Sequence, residues 1–414
     1  MRRKVYIKDL DFGMYVDELD RPWVETPFLF QGFPIREQKE LDMLAQHCKF
    51  AYVYDDRDEK LKRHKPAPHR FQTAQLNIAQ KQSIQPRQDH HHLIAEIRSI
   101  KKTYDQSHGY ITQVLGDVKF DRTFNISDGK ALVEKLTSSI IKNDNALMLM
   151  SQLKEYDEYT VRHSLNVCIM SIVFGKHLNL KPANLRVLGL GALLHDIGKM
   201  KIASSILNKP GTLSDEEYSQ VKQHPEYGYR LLKKRTELNP AIAEIARSHH
   251  ERIDGSGYPR KLKANTLNTL SMIVAIIDVY DAITTKRCYH NGISPHEAIR
   301  LMYESELGAF RRDLLDQFIQ CLSIFPIGSI VELSTDEIGI VMSVNRNRNL
   351  LPVVLLVLSP EKQPYCPRKV CNLELMADNE TPIKIRKILE SDAYDINVAK
   401  VLFDENNFDS LELI

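Results

Sequence analysis

The chain has 414 residues, of which 43% are hydrophobic and 27% charged, with a formal net charge of +2. That length predicts two or three domains with enough apolar content for a sizeable core, and the near-neutral balance excludes a broad electrostatic footprint for nucleic acid or an anionic membrane. The longest apolar stretches, around 140–150, 165–174 and 351–358, fall far short of the roughly 20 residues a bilayer span requires.

The basic start Met1-Arg2-Arg3-Lys4 is not followed by an apolar signal-peptide core. The six cysteines, at positions 48, 168, 288, 321, 366 and 371, lack the dense spacing of a disulfide framework. A soluble cytoplasmic protein is expected, with no nucleic-acid partner and no membrane span.

Residues 1–58 read as a small α+β unit. Lys4–Lys8 and Met14–Leu19 have strand character, Arg36–His47 is helical and Phe50–Tyr54 is a returning strand. Residues 59–92 form a Lys/Arg/Gln/His-rich linker with Pro66, Pro68 and Pro86. His90-His91-His92 invites a metal reading, but three consecutive residues cannot share one helix face, which favours a solvated tract.

Residues 93–150 are expected to be connecting helices: Leu93–Leu115 is a polar amphipathic helix, and Asp128–Leu153 reads as two short ones. From 151 to 326 the chain is helical throughout. Tyr159–Leu178 places His163, Val167 and Met170 on one apolar stripe. Pro182–Lys199 aligns Leu188, Gly191, Ala192 and His195, the small residues permitting close helix approach. Ser214-Asp215-Glu216-Glu217 is a capping-box start, and Asn239-Pro240 opens the next helix as cap and first residue. Leu270–Thr285 puts Val274, Asp278 and Asp281 on one face.

Residues 327–414 form a β appendage and tail, with strands over Ser329–Leu333, Ile338–Val344 and Val353–Leu358. The expected architecture is mainly α: an all-helical bundle with a small N-terminal α+β domain and a short C-terminal β appendage.

One histidine on an apolar face is ordinarily a satisfied core residue. The joint pattern is different. His163, His195, Asp196, His224, His249, His250 and Asp278 supply seven nitrogen and oxygen donors, and Asp196 and Asp278 lie in apolar helical stretches where a carboxylate is costly unless paired or bound to a cation. These donors suit Mn, Fe, Ni or Zn, and the lack of cysteine among them argues against a structural zinc site.

Adjacent His195 and Asp196 sit about 100° apart near a helix end, so the aspartate can reach both of two metals while the histidine serves one. Two metals roughly 3.5–4 Å apart hold a bridging water, lower its pKa and clamp an in-line displacement at phosphorus. Lys199, one turn on, can bind the phosphate or protonate the leaving oxygen; its plainer alternative is a cation complementing a helix C-terminus. Gly255 and Gly257 permit φ > 0, so the loop after His250 can fold back beside the histidines. The plainer alternative there is a glycine-bent surface turn.

His195-Asp196-x-x-Lys199, Lys209-Pro210-Gly211-x-Leu213, His224-x-x-x-Gly228, His249-His250-Glu251-x-x-Asp254-Gly255-x-Gly257-Tyr258-Pro259 and Asp278-x-Tyr280-Asp281-Ala282-x-Thr284 together resemble the bacterial HD-GYP domain. The resemblance covers about residues 150–326 and continues more weakly to about 376. It implies an HD-type bundle that hydrolyses cyclic di-GMP to pGpG, in some members on to GMP, through a bridging hydroxide on a binuclear centre. Such an activity lowers a second messenger controlling biofilm and motility.

The implied ligands are His195, Asp196, His224, His249, His250 and Asp278, with Asp196 bridging and His163 a ligand or near-ligand. The implied cofactors are two divalent ions, iron or manganese first, with nickel, zinc or magnesium as alternatives. A glutamate that brings a third metal in some members is replaced by Tyr159, although Asp157 and Glu158 are close by. Lys199 matches the phosphate-side lysine. Arg287 matches a basic residue on the far phosphate or guanine, while Cys288 and His290 depart from the usual proline and second basic residue.

Gly257, Tyr258 and Pro259 are expected to shape the site mouth, against substrate and against diguanylate cyclase or adaptor partners. Asp254 and Asp281 are expected to orient ligand histidines. A homodimer is compatible with the resemblance.

Asp9-Leu10-Asp11-x-Gly13-Met14-Tyr15-Val16, Trp23, Thr26-Pro27-Phe28 and Gln31-Gly32-Phe33 resemble the small uncharacterised domain found ahead of HD-GYP domains, a sensory or docking module; Trp23 and Phe28 read as core. Two alternatives stand beside the main reading. One is a catalytically weak regulator that binds cyclic dinucleotide or diguanylate cyclase partners. The other is the same chemistry on another cyclic dinucleotide or a nucleoside monophosphate.

Overall fold

The computed structural model describes residues 3–20, 33–35, 38–54, 90–142, 145, 147–148, 159–209, 211–285, 293, 295–305, 309–323, 325–344, 351–377, 382–390, 393–403 and 412–413. The chain divides into two units, Met1–Arg87 and Gln88–Ile414.

In the first unit, strands β1 (Arg3–Tyr6), β2 (Tyr15–Leu19), β3 (Phe33–Pro34) and β4 (Phe50–Tyr54) form an antiparallel sheet in the order β1-β4-β2-β3. Helix α1 (Gln38–His47) contributes Leu44 to a core with Val5, Val16, Leu19, Ala51 and Val53. Ala51 and Val53 alternate onto the buried face of β4, the pattern a one-sided sheet requires. The first strand stops earlier than expected: after Tyr6 the chain tightens into a 3-10 turn over Ile7–Asp9, closed by Leu10 N–H donating to Ile7 O. Trp23, Phe28, Gln31, Gly32 and the linker to position 89 lie outside the described residues.

The second unit begins with α2 (His90–Lys119), so the histidine triplet opens this helix and does not end a linker. Helix α3 (Ile126–Lys142) comes next, and residues 145, 147 and 148 beyond it are again helical. Then come α4 (Tyr159–His177), α5 (Pro182–Leu193), α6 (Ser204–Leu207), α7 (Asp215–Val221), α8 (His224–Lys233), α9 (Pro240–Ser248), α10 (Thr269–Thr284), α11 (Pro295–Ser305) and α12 (Arg312–Leu322). Helices α4 and α5 pack closely, with α9 and α10 across them. The small-residue stripe on α5 is the reason they fit: a Cβ at Gly191 would collide with the side chain of Ile245 on α9.

The helix expected over Pro182–Lys199 is broken. Helix α5 ends at Leu193, and His195 and Asp196 occupy a turn before a 3-10 segment over Ile197–Lys201. The cause is Gly198, where a Cβ would lie 2.0 Å from His224 O and 2.5 Å from Gly228 N. The backbone of this turn sits directly on α8, an approach a continued helix carrying side chains could not make.

The C-terminal region holds a six-stranded sheet in the order β10-β8-β7-β6-β5-β9, larger than the three strands expected. Strands β5 (Ile330–Leu333), β6 (Ile338–Ser343) and β7 (Val353–Leu358) match the apolar runs. Strands β8 (Pro364–Asn372), β9 (Ile385–Ile388) and β10 (Glu412–Leu413) complete it, with α13 (Val398–Phe403) before β10. Pro364 and Pro367 disguise β8 as a loop. Pro364 lies opposite Leu358 of β7 at the start of the strand, a position where proline is tolerated, and β10 pairs on the other side at Lys369 and Val370. Among the described residues no helix is long and apolar enough to cross a membrane.

Candidate metal centre

Five segments of the second unit bring the predicted donors together. His163 projects from α4, His195 and Asp196 from the turn after α5, His224 from the first position of α8, His249 and His250 from the end of α9, and Asp278 from α10. They form two groups: His163, His195 and Asp278, and Asp196, His224, His249 and His250, with one donor atom of each residue within 4.8 Å of the others in its group.

Asp196 joins the two. Its Oδ1 lies 3.2 Å from His224 Nε2 and 3.6 Å from His249 Nε2, while its Oδ2 lies 3.3 Å from His195 Nε2 and 3.7 Å from His163 Nε2. Asp278 also spans, with Oδ1 3.0 Å from His163 Nε2 and Oδ2 3.6 Å from His250 Nδ1.

Three of the imidazoles are held in one tautomer by the backbone. A carbonyl oxygen only accepts, so Nδ1–H of His195 donates to Ala192 O at 2.7 Å, that of His224 to Val221 O at 2.7 Å and that of His249 to Ala246 O at 2.9 Å. Each therefore presents an Nε2 lone pair inward. The Nε2 atoms of His224 and His249 are only 3.2 Å apart, two acceptors facing each other. His195 Nε2 and Asp196 Oδ1 are buried without a hydrogen-bond partner. Converging lone pairs beside a buried carboxylate are costly by themselves, and a divalent cation between them removes that cost. The residues present fit such ions.

His163 is held differently. Its Nδ1 lies 2.7 Å from Asp281 Oδ2, and Asn166 Nδ2 donates to Asp281 Oδ1 at 3.0 Å. Burial would lower its pKa, but the Asp278 and Asp281 carboxylates outweigh it and raise the imidazolium to about 9. Burial dominates at His249, lowering it to about 4. Burial and the neighbouring His249 push His250 well below the ordinary histidine value. Burial opposes ionisation of Asp196 and Asp278, yet Lys199 and His195 around the first, and His163 and His250 around the second, hold both carboxyls well below the usual range.

Lys199 Nζ donates to Asp196 Oδ2 at 2.5 Å, its side chain 21% exposed. The capping box at Ser214 and Glu217 is formed, and Lys209 Nζ reaches Glu217 Oε2 at 2.6 Å, so the lysine of the Lys-Pro-Gly motif anchors α7. Tyr258 stacks on His250, ring centroids 4.7 Å apart, and its N–H donates to His250 O. The loop does fold back beside the histidines, by two different glycine devices. Gly255 has φ +84°, whereas Gly257 lies against backbone, where a Cβ would be 2.4 Å from Arg252 N. Pro259 follows in the same loop, partly covered.

Asp254 requires a correction. It is exposed, and its carboxylate accepts from the N–H and Oγ of Ser256, so it shapes the loop and orients no ligand histidine. The buried carboxylate that anchors this loop is Glu251, which accepts from Arg260 N at 2.7 Å and Leu262 N at 2.8 Å. Glu251 and Asn166 were not singled out from the sequence. Their signals are an acid directly after the paired histidines and a polar residue one turn beyond His163 on an apolar stripe. Arg287, Cys288, His290, Asp157 and Glu158 lie outside the described residues, as does the side chain of Tyr159.

A helical bundle with an adjoining His-Asp pair at the heart of clustered imidazoles and carboxylates defines an HD-domain phosphohydrolase. The HD domain family matches residues 139–310, and a family described as a domain of unknown function, DUF3391, matches residues 2–128. The chain is 31% identical over 374 residues to the cyclic di-GMP phosphodiesterase PA4108 of Pseudomonas aeruginosa, covering 90% of this chain and 89% of that protein. It is 31% identical over 170 residues to the 3'3'-cGAMP-specific phosphodiesterase 3 of Vibrio cholerae, covering 41% and 36% respectively. Among solved structures, the HDG"Y"P protein Bd1817 of Bdellovibrio bacteriovorus aligns with a TM-score of 0.46 at 17% identity, over 78% of this chain and 99% of that one. The chain belongs to the HD-GYP family.

Proposed function

We propose that this chain hydrolyses cyclic di-GMP, opening the ring to linear pGpG, with two divalent cations of the iron or manganese type as cofactors. The observation that carries this reading is the division of Asp196, whose two oxygens face different donor groups. His163, His195 and Asp278 would hold one ion, His224, His249 and His250 the other, with Asp196 shared. Bound there, the ions supply a Lewis acid for phosphoryl oxygen and lower the pKa of attacking water.

The chain's own groups do the rest. Asp281 and the three backbone carbonyls hold the imidazole rings in place, so no reorganisation is needed when charge develops. The Lys199 ammonium, now paired with Asp196, is placed to neutralise a phosphate oxygen or to donate a proton to the leaving oxygen. Tyr258, stacked on His250, covers one face of that imidazole.

The test is incubation with cyclic di-GMP, and in parallel with 3'3'-cGAMP, under Mn or Fe(II), with chromatography of products. Wild type is expected to yield pGpG and D196A none; a D196A protein near wild-type activity would refute the shared role of Asp196.

A further inference from the structure

Beyond the paired histidines and their loop, one feature of the centre's rim belongs to none of the recognised motifs. Lys222, at the end of α7, holds its Nζ 4.3 Å from the centroid of the Tyr218 ring and 5.7 Å from that of Tyr258. Tyr258 in turn stacks on His250. The ammonium therefore stands one aromatic ring outward from a metal-ligand candidate.

Tyr218 is 46% exposed, a large flat ring open to solvent. It is four residues before Lys222, on the same helix face. The position of that face is built rather than incidental: the Ser214–Glu217 capping box and the Lys209–Glu217 ion pair fix the start of α7, and the Lys222 N–H donates to Tyr218 O at its end.

We infer that Tyr218 and Lys222 form a purine subsite that selects guanine in the substrate, an inference that rests on the cyclic dinucleotide reading above. In this assignment a phosphodiester held by the ligand cluster would carry its nucleoside past Tyr258, the ring that stands between His250 and Lys222. The exposed Tyr218 ring offers a stacking face, and stacking alone does not distinguish purines because every base has a π-face. Lys222 adds the discrimination. An ammonium only donates, and guanine presents two adjacent acceptors, O6 and N7, where adenine presents N7 beside an N6 donor. The cation–π contacts with both tyrosines keep Nζ at this rim without consuming its hydrogen-bonding capacity.

The experiment compares kcat/KM for cyclic di-GMP, cyclic di-AMP and bis(p-nitrophenyl) phosphate, a diester without bases, in wild type, K222M, K222R and Y218A. In K222M the ratio of cyclic di-GMP to bis(p-nitrophenyl) phosphate kcat/KM is expected to fall about tenfold, through KM, with K222R retaining most of it. The preference for cyclic di-GMP over cyclic di-AMP is expected to fall in K222M but not in Y218A, where both dinucleotides weaken together. A K222M loss equal for the two dinucleotides would overturn the assignment to guanine and place the ammonium on a phosphate. Unchanged ratios in an active enzyme would overturn the subsite altogether. A wild type that cleaves bis(p-nitrophenyl) phosphate but no cyclic dinucleotide would overturn the functional reading and this inference with it.

Discussion

The two halves of the ligand cluster are built from the same residue types, yet one histidine in each, His163 and His249, is shifted in the opposite direction. In the half with His163, His195 and Asp278, the His163 imidazole lies between two carboxylates and its pKa rises to about 9. In the half with His224, His249 and His250, backbone carbonyls fix the first two rings and burial keeps His249 neutral down to about 4. The two carboxylates at His163 thus make a basic ligand that must lose a proton before it can bind a cation, whereas burial leaves His249 ready above about pH 4. Asp196 faces histidines of both halves, its Oδ1 toward His224 and His249 and its Oδ2 toward His195 and His163.

The largest effect is expected at that shared residue. D196A removes the carboxylate that, among the described residues, faces the Nε2 atoms of both His195 and His224, and turnover is expected to fall by about a thousandfold or more, measured as product formed per unit time at saturating Mn. A smaller and one-sided effect is expected from D281A. It removes the carboxylate that contacts His163 Nδ1 and Asn166 Nδ2, so metal affinity of that half should weaken by about 10–100-fold in competition with a chelator. An equal loss from both halves would erase the distinction between them.

The subtlest effect is in proton release. His163 is protonated in metal-free protein below about pH 9, so loading at pH 7.5 should expel about one proton from it. That release should fade as pH is raised through about 9, while His249, neutral above about 4, contributes none. The signs for stability follow. The raised His163 value favours the metal-free fold fully below its ordinary value near 6.5, an advantage lost as pH rises through about 9. The depressed His249 value gives stability present above about 6.5 and lost as pH falls through about 4. Calorimetric titration in buffers of different ionisation enthalpy counts the protons directly.

Much of this site was legible in the chain because its donors are costly residues in apolar surroundings, and only a shared ligand reconciles seven of them. The shared face of His163, Val167 and Met170, and that of Val274, Asp278 and Asp281, follow from helical periodicity alone. The break after Leu193 does not, because periodicity carries no information about Gly198 resting on the α8 backbone, which is a tertiary contact. Asp254 was misassigned for a related reason: a carboxylate near two histidines in sequence bonds to its own loop through Ser256, while Glu251 turns inward. The C-terminal sheet was half legible. Val353–Leu358 declares itself by an unbroken apolar run, whereas Pro364–Asn372 mixes prolines with charge and becomes a strand only because β7 lies beside it.

Metal analysis of anaerobically prepared protein shows whether Asp196 ties two donor groups into one binuclear site. Wild type is expected to carry about two equivalents of divalent metal per chain, and D196A clearly fewer while still folded by circular dichroism. One equivalent in fully active wild type, or two retained by D196A, would contradict the shared role of Asp196.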